Sequence, residues 1–526
     1  MPSQKNIFYY GKSRMTASAA LGMCRRKING RIALETRERI NKSFHDVKRI
    51  VDEERIVYGI NTGFGSLCRT IISKEDTTRL QENLLRSHSV GVGEAVPDEI
   101  VRLMLILKVH SLCFGYSGIS YATIERILWF LEEDHLPMVP SKGSLGASGD
   151  LAPLAHLFLP LIGLGKVRYR GRFEETARLY QKKGLTPLAL GPKEGLALIN
   201  GTQFIAAYTA SIIEKLQNCL DVADIIGAMT LEGLLGSAKP FDDDIHRLRP
   251  FDGIRHVAHR MKVLLEKSEM VASHAACGRV QDPYSIRCIP QVHGASRNAW
   301  RHLKELAETE FNSVTDNPVI FSPEKTISGG NFHGQPLALP LDYCGLAASE
   351  LGNISERRTY LLLQGGVEGL PSLLMRNTGI NSGFMIPQYT AAALVSENKS
   401  LCFPASADSI PSSLGQEDHV SMGSISARKT LSIIENLEMI LAVELLCAAQ
   451  AFDYRRPMRS GVIIEACHNM IRERIDHAEE DRIFANDIQT TREIITSGKL
   501  VNKTYEVAGK MEINLKGKYH ETFGIY

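Results

Sequence analysis

The chain has 526 residues, a formal net charge of +2, 44% hydrophobic residues and 23% charged residues, a profile of an ordinary globular protein able to bury a large core. That balance excludes a global attraction to nucleic acid or to an anionic membrane, and no lysine or arginine tract is long enough to act as a basic arm. The ten cysteines are scattered without the spacing of a disulfide framework and read as reduced thiols, as expected of a cytoplasmic protein.

The N-terminus, Met1-Pro2-Ser3-Gln4-Lys5-Asn6, has no apolar run behind a basic start, so no signal peptide is expected. Residues 1–55 alternate short apolar patches with charged helical segments and carry no functional signal. In Tyr58-Gly59-Ile60-Asn61-Thr62-Gly63-Phe64-Gly65, three glycines and an Asn-Thr pair forbid a regular helix and predict a loop. A phenol held there by hydrogen bonds or positive neighbours can serve as a general base; taken alone, a loop tyrosine is a packing residue. Val101–Phe114 and Ile124–Leu131 read as buried or amphipathic helices.

Pro137, Pro140, Gly143 and Gly146 then break the chain ahead of Ala147-Ser148-Gly149, and Asp150 is placed to cap a helix whose first turn tolerates Pro153. The tripeptide is able to react with itself. Gly149 reaches backbone angles closed to other residues, so its nitrogen can attack the carbonyl carbon of Ala147 and close a five-membered ring. Loss of water from the ring and from Ser148 would leave a conjugated imidazolone with an exocyclic methylidene carbon, an electrophile that no ordinary side chain supplies. The following apolar stretch, Leu151–Leu164, is interrupted by Pro153, His156 and Pro160 and falls short of the roughly 20 residues that span a bilayer.

Beyond residue 206 the chain reads as long helices. Cys344, Ala347, Leu351 and Ile354 share one helical face, as do Ile434, Leu437, Leu441, Leu445, Ala448 and Phe452, with Glu435, Glu438 and Glu444 on other faces, the pattern of a helix bundle. Four blocks punctuate these regions. Glu194–Thr202 contains Asn200, by itself a helix-end or core amide. In Val280–Cys288, Arg287 is of the type that pairs bidentately with a carboxylate, with Tyr284 and Gln281 nearby. Ser328–Gly334 carries Phe332 in a glycine turn, and Asn381–Met385 ends on Met385. Gln416-Glu417-Asp418-His419 supplies a carboxylate that, with His88, could hold a polar imidazole. A phenyl ring would leave both unpaired, at a cost of roughly 1–3 kcal/mol. Beyond about Lys503 the pattern fades, and Glu512–Tyr519 reads as a weak strand or a loose tail.

Competing motifs are incomplete. Ser426-Ala427-Arg428-Lys429 fits Ser-x-x-Lys but opens a helical stripe. His274 and Cys277 offer two metal ligands without a second pair, so no metal is expected. Gly63-Phe64-Gly65 and Gly91-Val92-Gly93 lack the third glycine of a dinucleotide fingerprint.

Gly143-Ser144-Leu145-Gly146-Ala147-Ser148-Gly149-Asp150-Leu151-Ala152-Pro153-Leu154-Ala155-His156 closely resembles the signature of the aromatic amino acid ammonia-lyases and aminomutases, which build a methylidene-imidazolone (MIO) cofactor from their own chain. The other blocks resemble the family's in the same order, over roughly residues 55–455. The resemblance implies a mainly α, superhelical long-helix fold of the ammonia-lyase/fumarase kind, with an MIO-bearing region at 1–206 and a helix bundle with C-terminal region at 207–526. It assigns Ala147, Ser148 and Gly149 to the cofactor, Tyr58 to the base, Asn200 to support of cofactor and substrate, and Arg287 to the substrate carboxylate. Gln281, Tyr284, Phe332, Met385 and His88 would line the site. Glu417 joins the catalytic set, and Gln-Glu-Asp-His is similar to the histidine-directed members. The implied reaction is deamination of L-histidine to trans-urocanate and ammonia by a homotetramer with shared sites, without nucleic acid or membrane. The same resemblance leaves open an aminomutase or a tyrosine-directed lyase, and more distantly a helical scaffold that never forms the ring.

Overall fold

The computed structural model describes residues 7–67, 69–73, 76–275 and 280–526. Of the residues named above, Met1 to Asn6 and Cys277 lie outside this set, and so does the metal pairing that needed Cys277. The described residues are mostly helical, with short two- and three-stranded sheets, and none of their helices is long and apolar enough to cross a membrane. They contain no group of three metal-ligating side chains, and the described cysteines are free thiols.

The chain forms two compact units. The first comprises Met1–Ser211, Lys304–Asp342 and Pro404–Arg428; the second comprises Ile212–Leu303, Tyr343–Phe403 and Lys429–Tyr526. The expected division at residue 206 is a single break, whereas these units interleave. Most of their boundaries fall inside helices, such as Gln203–Gly233 and Gly423–Asp453, so no composition shift marks them in the sequence.

In the first unit the expected helices are present as Asp98–Leu112 and Tyr121–Glu132. Ile100 through Leu112 is almost entirely buried, as its apolar run requires, and Ser120 starts the second helix by accepting from the Thr123 amide at 3.3 Å. Three helices, Thr77–His88, Leu151–Phe158 and Glu194–Ile199, pack on one another. Their ends carry functional residues: His88 closes the first, Asp150 precedes the second and Asn200 ends the third. The strand Val92–Ala95 pairs antiparallel with Pro140–Lys142 just ahead of the Ala-Ser-Gly loop.

Asp150 corrects one expectation. It stands at the N-cap of Leu151–Phe158 but makes no side-chain cap there. Its Oδ2 instead accepts the amides of Phe204 and Ile205, both at 3.0 Å, and so caps the first turn of Gln203–Gly233. A carboxylate relieves unpaired amides at any helix start it can reach, and here the nearest in space is not its own.

In the second unit the predicted stripe Ile434, Leu437, Leu441, Leu445, Ala448 and Phe452 is completely buried. Cys344, Leu351 and Ile354 are buried as well, while Ala347 is half-buried. Glu438 and Glu444, on the other faces of Gly423–Asp453, are not solvated: Glu444 pairs with Arg358 (Nε–Oε1 2.5 Å), both fully buried, and Glu438 accepts from Arg492 at 3.0 Å. A bundle buried on all sides keeps such charges only in pairs. Nearby, Asp224 receives Arg260 at 2.8 Å, Arg297 at 2.6 Å and His293 at 2.8 Å. Burial alone would raise the Asp224 carboxyl, but Arg297, His293 and Arg260 hold it far below the usual range. The C-terminal stretch read as a weak strand or tail instead follows the helix Lys499–Lys510 as turns and leads into a short helix, His520–Phe523.

Candidate active site

A cavity of about 930 Å³ in the first unit is lined by Tyr58, His88, Ala147, Ser148, Asn200, Phe332 and Glu417, among others. Residues up to 361 positions apart in sequence, Tyr58 and His419, therefore share one space, and the Ala-Ser-Gly loop forms part of its wall.

The loop is braced from two directions. From behind, Asn200 Nδ2 donates to the Ser148 carbonyl at 2.8 Å, and the Asp150 amide donates to the Gly201 carbonyl at 2.7 Å. Gly149 and Gly201 form a parallel bridge. From the far end of the unit's sequence, the Met422 amide donates to the Leu145 carbonyl at 3.0 Å, Ser421 Oγ to the Gly146 carbonyl at 3.2 Å and Ser424 Oγ to the Ser144 carbonyl at 2.7 Å. Gly149 sits at φ +75°, and a Cβ there would lie 2.1 Å from the Gly201 oxygen. Only glycine fits. Gly149→Ala is expected to lower stability by about 2 kcal/mol or more through left-handed strain and overlap. It should also yield a chain whose 147–149 peptide keeps its unmodified mass, checked by thermal melting and peptide mass.

Asp150, fully buried, has its carboxyl pushed up to about 7 by burial, against which the Ile205 and Phe204 amides pull downward. Ser148 Oγ donates to Glu417 Oε1 at 2.8 Å, and Glu417 Oε2 accepts from Ser412 Oγ at 3.0 Å. His88 Nδ1 lies 2.9 Å from the Leu84 carbonyl. A carbonyl only accepts, so Nδ1 carries the proton and Nε2 keeps its lone pair. Burial lowers the His88 pKa, partly offset by the Leu84 hydrogen bond and by Glu417. The Tyr58 hydroxyl oxygen accepts the Gly65 amide at 3.3 Å.

The remaining predicted residues belong to the second unit and are not among those lining this cavity. Gln281 is exposed, Tyr284 is 71% exposed, and the Arg287 guanidinium lies 4.5 Å from the Tyr284 ring centre. Arg287 Nε is buried and makes no hydrogen bond among the described residues. Met385 opens the helix Met385–Leu401 and is half-buried. The competing Ser-x-x-Lys motif dissolves: Ser426 is fully buried on the helix Gly423–Asp453 and donates to Asp342 Oδ2 at 3.0 Å.

Two lining residues escaped the sequence reading. His333 and His419 stack with ring centres 5.5 Å apart at the cavity. Each lies within a block already singled out, next to Phe332 and two positions after Glu417, but nothing local announces that two rings from distant blocks meet.

The fold is largely helical, and a glycine loop shares one cavity with a phenol and a carboxylate; the chain belongs to the aromatic amino acid lyase family, whose model matches residues 15–473. Its relatives are specific. The histidine ammonia-lyase of Natranaerobius thermophilus is 48% identical over 483 residues, covering 91% of this chain and 95% of that protein. The crystal structure of histidine ammonia-lyase from Trypanosoma cruzi superposes with a TM-score of 0.88 at 40% identity, covering 97% of each chain. Tyrosine aminomutase from Streptomyces globisporus matches with a TM-score of 0.88 at 33% identity, over 95% of this chain and 98% of that one.

Proposed function

We propose that this enzyme deaminates L-histidine to trans-urocanate and ammonia in histidine degradation, as a cytoplasmic homotetramer. The observation that carries the reading is Glu417 at 2.8 Å from Ser148 Oγ, in the same cavity as His88. A carboxylate and a neutral imidazole offer an acceptor and a lone pair to a polar ring, whereas a phenyl side chain would supply neither with a partner and leave the carboxylate with only its two serine donors.

The residues fit an MIO group made from Ala147, Ser148 and Gly149: Gly149 lies where no side chain fits, Asn200 holds the Ser148 carbonyl, and Asn200 Oδ1 is buried without a hydrogen-bond partner among the described residues. That group supplies a carbon electrophile that activates the amino group for departure. Tyr58 takes the proton from the carbon β to the carboxylate onto its phenol oxygen, helped by the Gly65 amide that already donates to it. Glu417 and His88 orient the imidazole, and Phe332 closes the wall beside it. Arg287, with its unpaired buried Nε, anchors the carboxylate with Tyr284 and Gln281, and Met385 bounds the side chain. These four residues come from the second unit, which suits a site completed when copies of the chain assemble.

The test is turnover of L-histidine, L-tyrosine and L-phenylalanine, each followed by ultraviolet absorbance and by free ammonia. Ammonia matched by urocanate, from histidine alone, is expected. Glu417→Gln is expected to lower kcat/KM for histidine about 10- to 100-fold, the worth of one charged hydrogen bond. Loss of amino acid without matching ammonia would replace this reading with an aminomutase, and turnover of tyrosine in preference to histidine would reassign the pocket.

A further inference from the structure

Lys108 stands in the apolar run of the helix Asp98–Leu112 and is 1% exposed. A buried ammonium ordinarily faces a carboxylate. Its neighbour Lys193 does so, donating to Asp316 Oδ2 at 2.6 Å, both side chains being buried. Lys108 does not: among the described residues it forms no ion pair, and Nζ donates to the main-chain carbonyl of Asn200 at 2.7 Å and to Gln203 Oε1 at 3.4 Å. Burial pushes its ammonium down to about 7, with Asp316 pulling upward, Lys193 downward and Asp150 upward. The fold therefore keeps a costly polar nitrogen at a position where an apolar side chain of similar length would satisfy packing.

What Lys108 holds is informative. Asn200 ends the helix Glu194–Ile199 and turns to extended backbone at φ −87°, ψ 129°. Its side chain reaches Ser148, and the next carbonyl, that of Gly201, receives the Asp150 amide. The orientation of the Asn200 peptide thus sets two of the hydrogen bonds that brace Ser148-Gly149-Asp150 from behind.

We propose that Lys108 is a positioning residue, fixing the Asn200–Gly201 peptide so that it holds the Ala147-Ser148-Gly149 loop in its reactive conformation. The inference rests on the proposed function of that loop. It acts at one remove: Lys108 is absent from the cavity lining, so it touches no substrate there.

The test uses the full chain and the variants Lys108→Met, Lys108→Gln and Lys108→Arg. Lys108→Met keeps the length of the side chain and removes charge and donors. A purely structural cation replaced in this way leaves stability neutral or improved and activity unchanged. The positioning role predicts instead a kcat lowered about 10- to 100-fold, as for other residues that orient a reacting group from behind, with KM little changed. It also predicts a smaller fraction of the 147–149 peptide lighter by two water molecules, read by mass independently of turnover. Lys108→Arg, which keeps the charge and donors, should recover most of both readouts, and Lys108→Gln, with a shorter donor, should fall between. Should Lys108→Met not fold, the ordering of Lys108→Arg above Lys108→Gln in kcat and in modified peptide carries the same decision. Folded variants with parental kcat and complete peptide modification would overturn the inference while leaving the proposed function intact. An unmodified peptide in the parent protein would overturn both.

Discussion

Ser148→Ala is expected to fold as the parent does and to deaminate histidine at least ~10³-fold more slowly, because the variant cannot lose the serine hydroxyl as water and so never acquires its carbon electrophile. The fold has little to lose. Ser148 is only half-buried, its Oγ makes one side-chain hydrogen bond, to Glu417, and Glu417 retains Ser412 as a donor. Loss of one such bond costs about 1 kcal/mol, small against the stability of a chain this size. The backbone contacts of the loop, from Asn200 to the Ser148 carbonyl and from Asp150 to Gly201, use no atom that the substitution removes. Peptide mass and thermal melting check the two halves separately: the 147–149 peptide should keep the mass of an unmodified tripeptide while the midpoint stays close to the parent's. Full activity in this variant would sink the self-made cofactor.

Tyr58→Phe is expected to lower kcat by about 10²–10⁴, the range for removing a positioned general base, with KM little altered because the ring still lines the cavity. The Gly65 amide loses an acceptor at 3.3 Å. That bond is long and its donor belongs to a half-buried loop residue, so water can replace the phenol there. Steady-state kinetics with histidine decide it. A kcat within about threefold of the parent would place the base elsewhere, since that is far below what loss of proton transfer removes.

The parts of the site that were legible before the structure are those whose chemistry is local. Gly149 was singled out because ring closure needs backbone freedom at that one position, and the structure finds it at φ +75° against the Gly201 carbonyl. Tyr58 was placed in a loop by the glycines around it, and it is outside any helix or strand. The helical stripe ending at Phe452 was legible because a 3.6-residue period is a property of the segment itself. Arg287 and Glu417 were legible as chemistry but not as geometry: one falls in the second unit, the other beside Ser148.

What depended on tertiary structure are pairings between residues far apart in the chain, where neither partner's local sequence constrains the other. Ser148 meets Glu417 across 269 positions. Asp150 caps a helix other than its own, and Glu438 and Glu444 lie in the core rather than on a wet face. Lys108 went unremarked in the sequence, and only the packed helices show its Nζ at the carbonyl of Asn200. The sequence by itself determined the secondary structure of the long segments, the reactive tripeptide and the kind of side chains available to serve it, because backbone preference and functional-group chemistry act over a few residues. Which carboxylate faces which hydroxyl, and which interior charge supports the loop, was decided by the packing of elements that are neighbours in space and strangers in sequence, where burial raises the cost of every polar group left without a partner.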